Sequence, residues 1–187
     1  MVYQEGPAYE KTYKPFTLLC HLLNGDFIIP LHAYLFPKSV ITEAGEWNPN
    51  LLKNQDGEFT ARVLLTSSLV INDKKTYALY RRGNPNSTSQ KKDLQSQLGL
   101  LNSYFEIYKN ILDHRQIDLI KCAGYQFLRF TYENYNTYPE LARISLKYAS
   151  RCEVKIQDYR FPKIFGILSN IFGIKTTFLL RKFFKGT

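Results

Sequence analysis

Hydrophobic and polar positions alternate along this chain in three distinct ways. After Pro15 the run FTLLCHLLNG is nearly all apolar and ends on Asn24-Gly25, a short buried helix with a glycine stop. The next stretch, FIIPLHAYLFPKSVI, is apolar but broken by Pro30 and Pro37. Proline fixes φ and removes a donor, so this predicts a short extended piece, a turn and a lead into Glu43 and Gly45. Residues 45–62 then read as a loop carrying Trp47, followed by a helix with Asp56 and Glu58 in its first turn. Phe59, Val63 and Leu64 supply the buried face of that helix. LVIND predicts a short strand, NDKK a turn, TYALYRR a second strand and GNPNSTSQ a loop.

From Lys91 the period becomes helical. Leu94, Leu98, Leu101, Phe105, Tyr108 and Leu112 predict one amphipathic helix. Ile117, Ile120, Gly124, Phe127 and Leu128 predict a second. Thr137-Tyr138-Pro139-Glu140 has capping-box spacing with proline in the first turn, and opens a third carrying Leu141, Ile144 and Tyr148. The segment 159–187 mixes Phe and Ile with Gly, carries no acid, and holds Lys163, Lys175, Arg181, Lys182 and Lys185. That pattern suits a helix lying in the headgroup region of an anionic membrane, or one docked on the core.

Composition narrows the class. A chain of 187 residues with 44% hydrophobic and 22% charged positions is globular and long enough for a true core. The net charge of +9 admits phosphate-bearing ligands, anionic lipid or nucleic acid. Dispersed basic residues and the lack of any recognition motif speak against nucleic acid. Cys20, Cys122 and Cys152 are odd in number and widely spaced, which argues against a zinc site or a disulfide framework and for reduced thiols, hence a cytoplasmic setting. The first residues have no apolar core of a signal peptide, and no run reaches the roughly 18 apolar residues of a spanning helix. His21 lies among leucines and reads as a packed helical histidine.

One ordered set of segments carries a resemblance. HAYLFPKSVITEAGEWNPNLL, NQDGEFTARVLL and YALYRRGNPNSTSQ follow one another over residues 31–90. The set resembles the second half of the catalytic domain of family 2 glycosyltransferases, inverting enzymes of the GT-A fold. That family shows an apolar segment, a Gly-Trp-Asn-like turn, an acidic pair before a helix, a short strand and Tyr-Arg. The resemblance implies an α/β fold: an incomplete GT-A-like core with few short strands over residues 1–90, a helical tail over 91–158 and the basic segment 159–187.

The resemblance also implies roles. Asp56 occupies the second place of the acidic pair and becomes the general base, while Gln55 departs from the pattern at the first place. Trp47 matches the aromatic beside the acceptor, Glu58 becomes a supporting residue of the substrate site, His32 lies in a segment passing near the donor, and Tyr80 and Arg81 match the family's Tyr-Arg, with the guanidinium suited to diphosphate oxygens. The implied partners are a nucleotide-sugar donor and a glycan or lipid-linked acceptor. The intact family enzyme uses a divalent Mg or Mn ion held by an Asp-x-Asp motif, which this chain lacks. The early strand-helix-strand run of a nucleotide-binding half is missing too. The expectation is therefore a truncated or split form, with a partner chain supplying that half, inactive alone and peripheral at the inner face of the membrane. With its sheet partners absent, such a core should leave apolar surface uncovered. The alternative is a non-catalytic basic module that binds a membrane surface or a polyanion.

Overall fold

A computed structural model describes residues 12–73, 75–76, 90–154 and 163–184. In chain order the elements are β1 (Thr12–Tyr13), α1 (Pro15–Asn24), a 3-10 turn (Leu31–Ala33), α2 (Lys38–Ala44), α3 (Gln55–Thr66), β2 (Val70–Ile71), α4 (Leu94–Asp113), α5 (Ile117–Asn134), α6 (Pro139–Arg151) and α7 (Lys163–Phe184). The chain divides into two compact units, Met1–Cys122 and Ala123–Thr187.

The expectation of an α/β, GT-A-like core is overturned. Among the described residues the protein is mostly helical, and its one sheet is two strands of two residues each. β1 and β2 pair antiparallel, with Thr12 opposite Ile71 and Tyr13 opposite Val70. The physical reason lies between them. After Pro30 and Pro37 the backbone does not extend into strands but turns into the 3-10 turn and α2. Val70 does enter a strand as LVIND predicts, and it pairs with Tyr13 near the start of the chain; residues 77–82 of the expected second strand lie outside the described residues.

α3 is the centre of the first unit and packs against α1, α2 and α4. Phe59, Val63 and Leu64 are buried on it as their spacing predicts. α1 stops where Asn24-Gly25 says it should. Gly25 sits at φ 72°, and its N–H, with that of Asp26, donates back to the carbonyls of Leu22 and His21. α2 has no buried residue, so no apolar period announced it. α4 has the expected extent but a different inner face. Gln97, Leu101, Tyr104, Ile107 and Ile111 are buried, while Leu94, Leu98 and Leu112 face outward. Asp93 caps α4, its carboxylate accepting from the N–H of Ser96 at 2.9 Å and from its hydroxyl at 2.7 Å. Those two bonds hold the Asp93 carboxyl below its ordinary range.

A second correction concerns the cysteines. Cys20 of α1 and Cys122 of α5, 102 residues apart in sequence, form a disulfide with a Cα–Cα distance of 5.4 Å. Cys152 is free and buried.

In the second unit α5 and α6 meet closely at Gly124. A Cβ there would come within 2.6 Å of Cβ of Cys152 and 2.8 Å of a Val154 methyl, so only glycine fits. Ser145 of α6 donates to the Phe127 carbonyl at 2.8 Å, joining the two helices. The capping box expected at Thr137 is not formed. Tyr138 is the N-cap without a side-chain bond, and Glu140 instead pairs with Arg143 at 2.6 Å on the surface. α7 bends at Gly173, where φ is 75° and ψ is 160°. No helix among the described residues is long and apolar enough to cross a membrane.

Candidate functional site

The loop 45–54 and the first turns of α3 hold four of the residues singled out from the sequence or their immediate neighbours. Asp56 is exposed in the first turn of α3, where unpaired N–H groups favour a negative charge. Glu58, two residues on, is 2% exposed and turned inward. Arg62, one helical turn further along, takes it in a two-point grip, Nε to Oε1 at 2.6 Å and Nη2 to Oε2 at 3.1 Å.

The same guanidinium reaches past its helix. It donates to the carbonyls of Ala44, of Gly45 at 3.1 Å and of Glu46 at 2.9 Å. These are the last carbonyls of α2 and the first of the loop, groups that a helix end leaves without partners. Arg62 also lies over the Phe59 ring, 5.4 Å from its centroid. Glu58 therefore supports the loop that carries Trp47 and presents no free carboxylate to a ligand. Gln55, at the departing position of the acidic pair, donates its amide to the Leu51 carbonyl and closes the loop from the other side.

Aromatic rings gather around Phe59 of the same helix. Trp47 packs on Phe59 with centroids 5.3 Å apart and remains 39% exposed. Phe36 meets Phe59 edge-on at 6.0 Å and stacks on Tyr34 at 5.2 Å. The Tyr34 hydroxyl is buried and has no hydrogen-bond partner among the described residues. Burial, and then the negative charge of Asp56, push its pKa well above the ordinary value. Asp56 and Phe59, the ring that joins Trp47 and Phe36, lie on the same helix, three residues apart. The region offers an exposed carboxylate, Asp56, on the helix whose Phe59 packs on a half-exposed indole, and ring faces of that kind suit the C–H surface of a sugar.

His32 is exposed on the 3-10 turn, two residues before Tyr34. His21 lies in α1, its Nδ1 2.7 Å from Oδ2 of Asp26, with Phe27 tilted against it at 5.5 Å. Tyr80 and Arg81 fall outside the described residues. Tyr34 and Arg62 went unremarked as site residues. For Arg62 the available signal was its i+4 spacing from Glu58. For Tyr34 there was none, since its burial is set only by the fold.

No family model matches this chain, and neither a curated protein nor a solved structure does. For a divalent metal, the described residues contain no group of three or more His, Cys, Asp and Glu side chains placed to hold one.

Proposed function

We propose that this chain supplies the acceptor side of an inverting glycosyl transfer from a nucleotide-sugar donor to a glycan or lipid-linked acceptor, with Asp56 as general base. One observation carries the reading: of the two carboxylates at the start of α3, Glu58 is consumed by Arg62 while Asp56 stays exposed on the helix whose Phe59 packs on Trp47. The ordered resemblance of residues 31–90 supports it; the α/β core that the resemblance implied forms no part of it. In the proposed step Asp56 takes the proton of an acceptor hydroxyl as that oxygen bonds to the anomeric carbon. The bond from that carbon to the nucleoside diphosphate breaks on the opposite face. Donor binding falls to a nucleotide-binding half on a partner chain.

Trp47 is the sole tryptophan, so its emission reports this site alone. Neutral hexose and N-acetylhexosamine oligosaccharides are titrated against the full chain. The expected result is a saturable change in Trp47 emission, weakened about tenfold or more in Asp56→Asn, the scale of a hydrogen bond to a charged group. UDP-sugars with manganese should give no micromolar binding to the chain by itself. Silence towards every saccharide, or tight nucleotide-sugar binding by this chain, would overturn the reading.

A second reading, attachment at the periphery of an anionic membrane, is favoured by a separate observation. Ile164, Ile167, Ile171 and Phe172 of α7 are all more than half exposed within an acid-free segment.

A further inference from the structure

We infer that the first arm of α7, before the bend at Gly173, is a membrane-contact helix that lays Ile164, Ile167, Ile171 and Phe172 into the headgroup region of an anionic bilayer; this rests on the peripheral reading above. The inner side of α7 is already satisfied within its own unit. Phe165 meets the Tyr132 ring edge-on at 5.0 Å, and Phe178 stacks on Tyr135 at 4.1 Å. Phe165 and Phe178, one on each side of the bend, also touch each other at 5.0 Å. The helix is thus anchored, while Ile164, Ile167, Ile171 and Phe172 remain exposed.

Those side chains form a stripe. Ile164, Ile167 and Ile171 recur at i, i+3 and i+7, and stand 65%, 57% and 65% exposed; Phe172 beside them is 52% exposed. Four large apolar side chains exposed on three turns are unusual for a face meant for water. The bend follows at once. At φ 75° Gly173 takes a backbone conformation that other residues adopt only under strain. The Thr177 hydroxyl donates to the Gly173 carbonyl at 2.9 Å, satisfying an acceptor that the bend would leave open.

Charge selects the occupant. Residues 159–187 hold no Asp or Glu and six basic residues, Arg160, Lys163, Lys175, Arg181, Lys182 and Lys185. Lys163 is the first residue of α7, and Lys175, Arg181 and Lys182 follow Gly173 in its sequence. A protein partner would need matching acids across a shaped contact. A layer of anionic headgroups over acyl chains meets both needs with no shape requirement, since apolar burial and attraction to anionic lipid add together.

The test is flotation of the full chain with vesicles rich in phosphatidylglycerol and, separately, with pure phosphatidylcholine. The full chain should float with the anionic vesicles and not with the neutral ones, and added salt should release it. Ile167→Glu/Ile171→Glu should lower partitioning roughly 30-fold or more while leaving far-UV circular dichroism and the Trp47 titration unchanged, because both isoleucines are exposed. Failure of the unaltered chain to float would sink the peripheral reading and this inference together. Flotation that survives the double substitution would leave the peripheral reading standing and overturn the role of α7. Equal flotation on neutral vesicles would overturn the choice of anionic lipid. A dimer that the double substitution dissociates, with flotation unchanged, would assign the stripe to a second copy of the chain.

Discussion

Arg62 shows how one side chain can decide what its neighbours are free to do. Its guanidinium holds Glu58 and three carbonyls at the end of α2 at once. Because Glu58 is buried, removing the cation leaves an unpaired charge inside the protein. Arg62→Ala should therefore cost about 3–5 kcal/mol, read as a lower urea midpoint. Arg62→Lys keeps the charge but has no fork to span carboxylate and carbonyls, so it should recover only part of the loss. Tyr34 gives a second prediction, in alkali. Its folded pKa lies above the ordinary 10.0, through burial first and the charge of Asp56 second. The folded chain then holds a proton that the unfolded chain releases, so the unfolded state binds fewer protons and stability falls as pH rises. This contribution is intact below about pH 10 and is lost above it. Urea midpoints from pH 8 to 11 should decline less steeply in Tyr34→Phe than in the parent chain.

Among the elements, helix existence followed from period and helix orientation did not. The spacing of Leu94, Leu98, Leu101, Phe105, Tyr108 and Leu112 marks the extent of α4, yet of these only Leu101 is buried. A leucine-rich stripe is one of two plausible inner faces when Tyr104, Ile107 and Ile111 offer another in the same window. The choice fell to close packing, since α4 approaches the loop before α3 at Gly99, where a Cβ would lie 2.9 Å from that of Leu52. α2 illustrates the opposite case. It has no buried residue to set a period, and its last carbonyls are held by Arg62, 18 residues beyond Ala44. The start of α3 was legible because Asp56 and Glu58 precede a run with Phe59, Val63 and Leu64 at helical spacing. Which of those two acids stays exposed was not.

At the scale of the whole molecule, the Cys20–Cys122 disulfide closes most of the first unit into one loop. Cross-links over a separation of 102 residues restrict the unfolded chain strongly, by about 4–5 kcal/mol in the chain-entropy account. Cys20→Ser, or reduction of the parent chain, should lower the melting temperature accordingly. Thiol titration of the unreduced, denatured chain should count one free cysteine, Cys152. A count of three would show that the pair stays reduced.

The sequence by itself determined where the long helices run, where α1 stops, that Phe59, Val63 and Leu64 face inward, and that residues 159–187 are apolar, basic and free of acids. These are local properties, set by period, by glycine at positive φ and by composition. Only the tertiary structure decided that the core is helical, that Glu58 belongs to Arg62 while Asp56 remains exposed, that Cys20 finds Cys122, and that α7 buries Phe165 and Phe178 while Ile164, Ile167, Ile171 and Phe172 stay exposed. Each of those is a meeting of residues distant in sequence or a choice between competing faces, fixed by packing and desolvation that no local pattern encodes.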